Sequence, residues 1–150
     1  MLRSLNLSEN HFGSHGVKAF AHALRQNQTL TKLNMDGVRG GVVGGEFLAR
    51  ALAQNSTLTD FTFSGNSIRN IGAKAFAAAL GQNDTLRAID LGFNDFDSSG
   101  GAAIAAALVT EPGCDRAKMA INLHVSLIGN RGCEALIPPH LARSKLRASC

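Results

Sequence analysis

The sequence has no tryptophan and no tyrosine, and eight phenylalanines supply all of its large aromatic rings. A chain so short of stacking rings is a poor platform for single-stranded nucleic acid. Its core has to come from leucine, alanine, isoleucine, valine and those phenylalanines. Cysteine is scarce as well. Cys114, Cys133 and Cys150 form no CxxC pair and cannot all pair within one chain, which points to a reduced, cytoplasmic setting and not to a disulfide scaffold. Long apolar runs are missing: GGAAIAAALV at 100–109 is the longest, well short of the roughly 20 residues a spanning helix needs. No basic-then-apolar leader opens the chain, so neither a secretory signal nor a membrane span is expected. Nor does one sign of charge dominate. Residues 1–136 hold twelve Lys and Arg against eleven Asp and Glu, and the three further positive charges, Arg143, Lys145 and Arg147, fall in the last 14 residues. A nearly neutral body with a basic tail argues against a general polyanion-binding face, and no specific nucleic-acid partner is expected.

What is present suffices for one folded domain: 150 residues, 45% hydrophobic and 17% charged, enough to bury a real core. The informative feature is repetition. GQNDTLRAIDLGFNDF at 81–96 echoes NSTLTDFTFSGN at 55–66 and NQTLTKLNMDGV at 27–38. Leu2, Leu30, Leu58 and Leu86 lie 28 residues apart, as do Leu5, Leu33, Phe61 and Ile89, and Leu7, Met35, Phe63 and Leu91. Ile121 and Leu123 continue the pattern after four extra residues that enter near Glu111–Cys114. The alternation of Leu5 with Leu7 and of its copies has period two, one face of a strand. A second column, Gly16, Gly44, Gly72, Gly100 and Gly132, is followed four residues on by Phe20, Leu48, Phe76, Ile104 and Leu136. Eight on come Leu24, Leu52, Leu80 and Leu108. Those spacings mark one face of an amphipathic helix.

Each unit is therefore predicted to run strand, loop, helix, return turn, and none can bury both apolar faces alone. Stacked units place a parallel sheet on one side and helices on the other. Strands sit about 4.8 Å apart and helices about 10 Å, so the stack must curve with the strands inside. The predicted fold is an α/β right-handed solenoid, an open horseshoe arc. Its units are expected at about 1–29, 30–57, 58–85, 86–117 and 118–136, with 137–150 a basic C-terminal tail or degenerate cap in which Pro138 and Pro139 interrupt the fifth helix. Met1 and Leu2 open directly in a strand. That edge suggests a chain that belongs to a larger protein or associates through its first unit.

Two asparagine columns accompany the repeat. Asn10, Asn66 and Asn94 fall where the chain leaves each strand, and an amide there can bridge backbone groups of adjacent turns. Val38 and Ser126 interrupt that column, so the turns of units two and five are expected to be looser. Asn27, Asn55 and Asn83 end the helices, where asparagine tolerates a left-handed turn.

These residues carry a resemblance. LRSLNLSENHFGSHGVKAFAHALRQNQTL is similar to the leucine-rich repeat of the ribonuclease-inhibitor-like class, whose L-x-x-L-x-L-x-x-N is followed by G-x-x-x-(apolar)-x-x-x-L and N-x-T-L. The similarity covers about residues 1–136 and implies a protein partner held on the concave face and the adjoining loops. The candidate partner-binding residues, all pointing outward from the strands or their ends, are Asn6, Lys32, Asn34, Asp36, Asp60, Thr62, Asp90, Asn122 and His124. The alternative comes from the Ran GTPase-activating protein, which is similar in repeat class. On that reading Arg39 and Arg69, in the loops after the second and third strands, would reach a partner's phosphate. The glycine-rich GVRGGVVGGEF at 37–47 lacks the Gly-Lys-Ser/Thr ending of a P-loop. His11 and His15 have no acidic or cysteine partner at zinc-ligand spacing. No metal, cofactor, small-molecule substrate or catalytic constellation is expected.

Overall fold

Along the described chain five short strands alternate with four helices. These are β1 Ser4–Asn6, α1 Gly13–Gln26, β2 Lys32–Asn34, α2 Gly41–Gln54, β3 Asp60–Thr62, α3 Arg69–Leu80, β4 Ala88–Asp90, α4 Ser98–Val109 and β5 Ala120–Asn122. The structure, a computed structural model, describes residues 1–109 and 120–122. The readings made for His124, Ser126, the three cysteines, Pro138, Pro139 and the 137–150 tail lie outside those residues, as does the side chain of Asn122.

The strands form one parallel sheet in chain order, β1-β2-β3-β4-β5. Leu5 pairs with Leu33, Leu33 with Phe61, Phe61 with Ile89 and Ile89 with Ile121, so the insertion before β5 leaves the register of apolar rungs intact. A three-residue strand presents only one apolar side chain inward. Further bonds beyond the strand ends hold it in line: Leu7 N–H to Asn34 O at 2.8 Å, Met35 N–H to Thr62 O at 2.9 Å and Phe63 N–H to Asp90 O at 2.9 Å. The helices pack in sequence, α1 on α2, α2 on α3 and α3 on α4. The result is an αβ solenoid with the sheet on its concave side and the helices on its convex side. The apolar columns meet between the two layers. Leu33, Met35, Phe61, Phe63, Ile89 and Leu91 face Leu24, Leu48, Leu52, Phe76, Leu80 and Ile104, all at most 2% exposed. Phe61, Phe63 and Phe76 form one ring cluster, with centroids 6.0 to 6.1 Å apart. Leu2 departs from its column: Leu30, Leu58 and Leu86 are buried, but Leu2 is 58% exposed.

No side chain caps the N-termini of α1, α2 or α3. The next unit does that work through its backbone. Gly13 N–H donates to Val38 O, Gly41 N–H to Asn66 O and Arg69 N–H to Asn94 O, at 2.8 to 3.0 Å.

The asparagine columns are the polar frame inside this core. Asn94 Nδ2 donates to Phe63 O at 2.8 Å and Leu91 O at 3.1 Å, and its Oδ1 accepts from Asn66 N–H at 2.9 Å. Asn66 repeats the pattern one unit earlier, toward Met35 O, Ser64 O and Gly40 N–H. Each amide therefore serves its own turn and that of the unit before it, which extends the expected consequence of Val38. Unit one loses a bridging side chain as well as unit two. In unit one Asn10 Nδ2 folds back onto Leu7 O at 2.9 Å, and the His11 ring, through Nδ1–H, reaches Gly37 O at 3.0 Å. Val38, fully buried, keeps only the backbone bond.

The second column is corrected. Asn27 and Asn55 have φ of −76° and −82° with ψ of 127°, extended and not left-handed. Asparagine stands there for its side chain. Asn83 Nδ2 donates to Leu52 O at 2.6 Å and Asn55 O at 2.9 Å, tying off the end of the preceding helix, while its Oδ1 accepts from Thr85 and Leu86 N–H. Asn55 does the same for Leu24 O and Asn27 O. Left-handed backbone occurs instead in the strand-to-helix loops, at Glu9, Gly37, Gly65 and Phe93, again at His11, Arg39, Ser67 and Asp95, and at Gly13, Gly41 and Arg69.

Candidate functional site

Outward strand positions place Lys32, Asn34, Asp60 and Thr62 side by side with Asn6 around a shallow hollow of about 270 Å³ on the concave face. Several of the outward residues expected to meet a partner are already committed to the fold. Asn6 Oδ1 accepts from Ser8 N–H, Asn34 Oδ1 from Asp36 N–H and Asp90 Oδ1 from Gly92 N–H, at 2.8 to 2.9 Å. These closures end each strand two residues on, as asparagine and aspartate do in turns. Thr62 cannot make that closure. Its unit borrows Asp36 from the neighbouring one, whose Oδ1 accepts from Ser64 N–H at 2.7 Å, while the buried Thr62 hydroxyl faces Asp36 without hydrogen-bond geometry of its own. The charged groups that face a partner are Lys32, which is exposed, and Asp60, whose Oδ2 accepts from Thr59 Oγ1 at 2.7 Å.

A second depression, of about 370 Å³, lies along the strand-to-helix loops. Glu9, His11, Asp36, Gly37, Arg39, Ser64, Gly65 and Phe93 line it. It joins units one to four because equivalent loop positions stack. Asp36 is its most perturbed group. Burial pushes its carboxyl above the ordinary carboxylate value of 3.8, and the charge of Asp90 adds to the effect. The Ser64 N–H bond and the Thr62 and Asn34 side chains oppose it. Ionised Asp36 is thus held at a cost to the fold, since the folded state binds its proton more tightly than the unfolded chain does. The sign follows: the penalty is present at neutral pH and disappears as pH falls through the raised folded value toward 3.8. Asp36→Asn keeps an oxygen for Ser64 N–H and removes the charge. The variant is expected to melt above the parent at pH 7, with the gap closing toward pH 4, in thermal unfolding followed by circular dichroism.

Arg39 lines this loop depression and is exposed. Arg69 does not belong to it. Arg69 opens α3 instead of sitting in a loop, at the position matched by Gly13 and Gly41, whereas Arg39 matches His11 and Ser67. The two arginines occupy different rungs and are not brought into one site. His11 and His15 are likewise separated, one in the loop and the other in α1. Among the described residues no group of three or more His, Cys, Asp or Glu is arranged to hold a metal, and no helix is long and apolar enough to cross a membrane. Sequence reasoning missed Glu9, Gly65 and Phe93 as site residues. Phe93 was hidden because its equivalents are Glu9, Gly37 and Gly65, so no apolar column flagged it.

A Leucine Rich repeat family model matches residues 1–21, 54–77 and 82–105. The unmatched stretch between the first two spans holds most of unit two, where Val38 and Gly40 replace the usual residues. Among solved structures the chain is similar to leiomodin-1 actin-binding site 2, at 20% identity and a TM-score of 0.70, over 89% of this chain and 78% of that one. The comparison with curated proteins finds no match. The three matched repeats and the stacked strand–helix architecture agree on one fold, an αβ solenoid of the leucine-rich-repeat type.

Proposed function

We propose that the chain is a non-catalytic protein-interaction module of the ribonuclease-inhibitor-like repeat class, with its partner seated on the concave face and the strand-to-helix loops. The observation that carries this reading is the pairing of a sheet whose strand ends are closed by hydrogen bonds within the fold with two outward charged side chains, Lys32 and Asp60, beside a hollow of about 270 Å³. A surface whose backbone and turn groups are already bonded loses little entropy on docking, and stacked repeats offer an extended concave surface as a matter of geometry. The solved neighbour bears the name of an actin-binding site, which supports a protein as partner without identifying it here.

The test compares capture of proteins from a native lysate by the parent chain, by Lys32→Glu/Asp60→Lys, and by the helix-side control Arg50→Glu/Lys74→Glu. Loss of the captured protein with the concave pair and its retention with the control is the expected result. Equal capture by all three would remove the concave face from consideration.

A further inference from the structure

Charge is segregated across the two layers of the solenoid. Among the described residues the strands and strand-to-helix loops carry Glu9, Asp36, Asp60, Asp90, Asp95 and Asp97 against Lys32, Arg39 and, at the first turn of α3, Arg69. The helices beyond that turn carry Lys18, Arg25, Arg50 and Lys74 against Glu46. A chain that is close to neutral over this length is therefore dipolar, acidic where the loops open and basic on its back. The loop depression of about 370 Å³ lies on the acidic side. Glu9 and Asp36 both line it, and Phe93, 52% exposed, stands at its wall. From this juxtaposition of two carboxylates and an exposed ring in one groove, we infer that the loop groove receives an arginine side chain of an extended, basic partner segment.

The fit is chemical as well as electrostatic. A guanidinium offers a planar fork of donors to carboxylates and a face that stacks on a phenyl ring, whereas a lysine ammonium offers a compact charge. Asp36, half-buried at this groove, accepts the Ser64 N–H through Oδ1. Its retention as an ionised group at a cost to stability is the kind of departure that marks a binding position. Arg39 also lines the groove, so a partner must bring its own positive charge past a like one.

This inference rests on the protein-interaction reading but can fail separately from it. The experiment is a titration of the full chain, isotopically labelled, with the neutral-ended peptides acetyl-Gly-Arg-Gly-Arg-Gly-amide, its lysine counterpart and its glutamate counterpart, read by backbone amide shifts. Expected are saturable shifts at Gly37, Ser64, Gly65 and Phe93 with the arginine peptide, binding several-fold tighter than the lysine peptide, and no effect of the glutamate peptide. Glu9→Gln/Asp36→Asn should weaken the arginine peptide about tenfold, while thermal unfolding confirms that the variant is folded. Phe93→Leu should abolish the preference for arginine over lysine. Shifts spread over the surface, shifts unchanged in the double variant, or the same shifts produced more strongly by calcium chloride alone would overturn the assignment. A lysate partner lost with Lys32→Glu/Asp60→Lys but indifferent to Glu9→Gln/Asp36→Asn would leave the concave reading standing and remove this one.

Discussion

Asn94→Ala is expected to lower the unfolding free energy by about 3–5 kcal/mol, because two buried carbonyls and two buried N–H groups lose a partner at about 1–3 kcal/mol each, the longer N–H bond counting least. The carbonyls belong to Phe63 and Leu91 and the N–H groups to Asn66 and, at 3.4 Å, Ile68, and Asn94 is itself 0% exposed, so water cannot step in. Asn10→Ala provides the contrast. Asn10 occupies the same column, but it is exposed and bonds only Leu7 O and Ser8 O of its own turn. Its removal should cost less than about 1 kcal/mol, as for a surface group whose partners can hydrate. Asn94→Asp separates the two halves of the amide: it keeps an acceptor for Asn66 N–H but cannot donate to the carbonyls, and it buries a charge, so it should be no better than alanine. Urea unfolding with a shared slope measures all three. Equal losses at positions 10 and 94 would show that the column stabilises through local turn propensity and not through bridging between units.

The contrast also shows what the sequence could and could not disclose. The period, the strand rungs and the helix faces were legible because each depends on the spacing of apolar side chains within one unit, and Leu33, Phe61 and Ile89 are buried in register. The bridging of adjacent turns by Asn66 and Asn94 was legible too, but the other interactions in which one unit completes another escaped. Helix starts at Gly13 and Gly41 carry no capping residue because the next unit's backbone carbonyl takes that place. Asn55 and Asn83 looked like residues chosen for a left-handed turn, yet their value lies in amides that reach Leu24 O and Leu52 O of the unit before. At the candidate site, bonds made within a unit were also hidden. Asn6, Asn34 and Asp90 point outward as expected, but their oxygens are used to close the strands. Asp36 is singled out by the failure of Thr62 one unit away. A repeat motif records which residues recur, and a partner between repeats is visible only when the units are stacked.

Unit two provides the sharpest case, and a thermodynamic cycle can test it. Phe12, Gly40, Ile68 and Phe96 occupy equivalent positions before the helices, and Ile68 and Phe96 are fully buried. At Gly40 the missing side chain is replaced from the next unit. A Cβ built there would run into the ring tip of Phe63, which itself stands where unit four has Leu91. Large and small residues have thus exchanged places across the unit boundary, and the ring of Phe63 fills the volume an Ile68-like side chain would take. Gly40→Ala should destabilise by about 1–3 kcal/mol through overpacking. It should do so although the backbone at φ −63° and ψ −34° suits alanine, since Phe63 is held on its other sides by Phe61 and Phe76 at 6.0 and 6.1 Å. Phe63→Leu should cost a similar amount by leaving a cavity. Combined, the two changes are expected to cost less than their sum, with a coupling of about 1–2 kcal/mol in the stabilising sense, because the new methyl occupies space the leucine vacates. Additivity to within about 0.5 kcal/mol would mean that a methyl at 40 and the ring of Phe63 do not compete for the same volume.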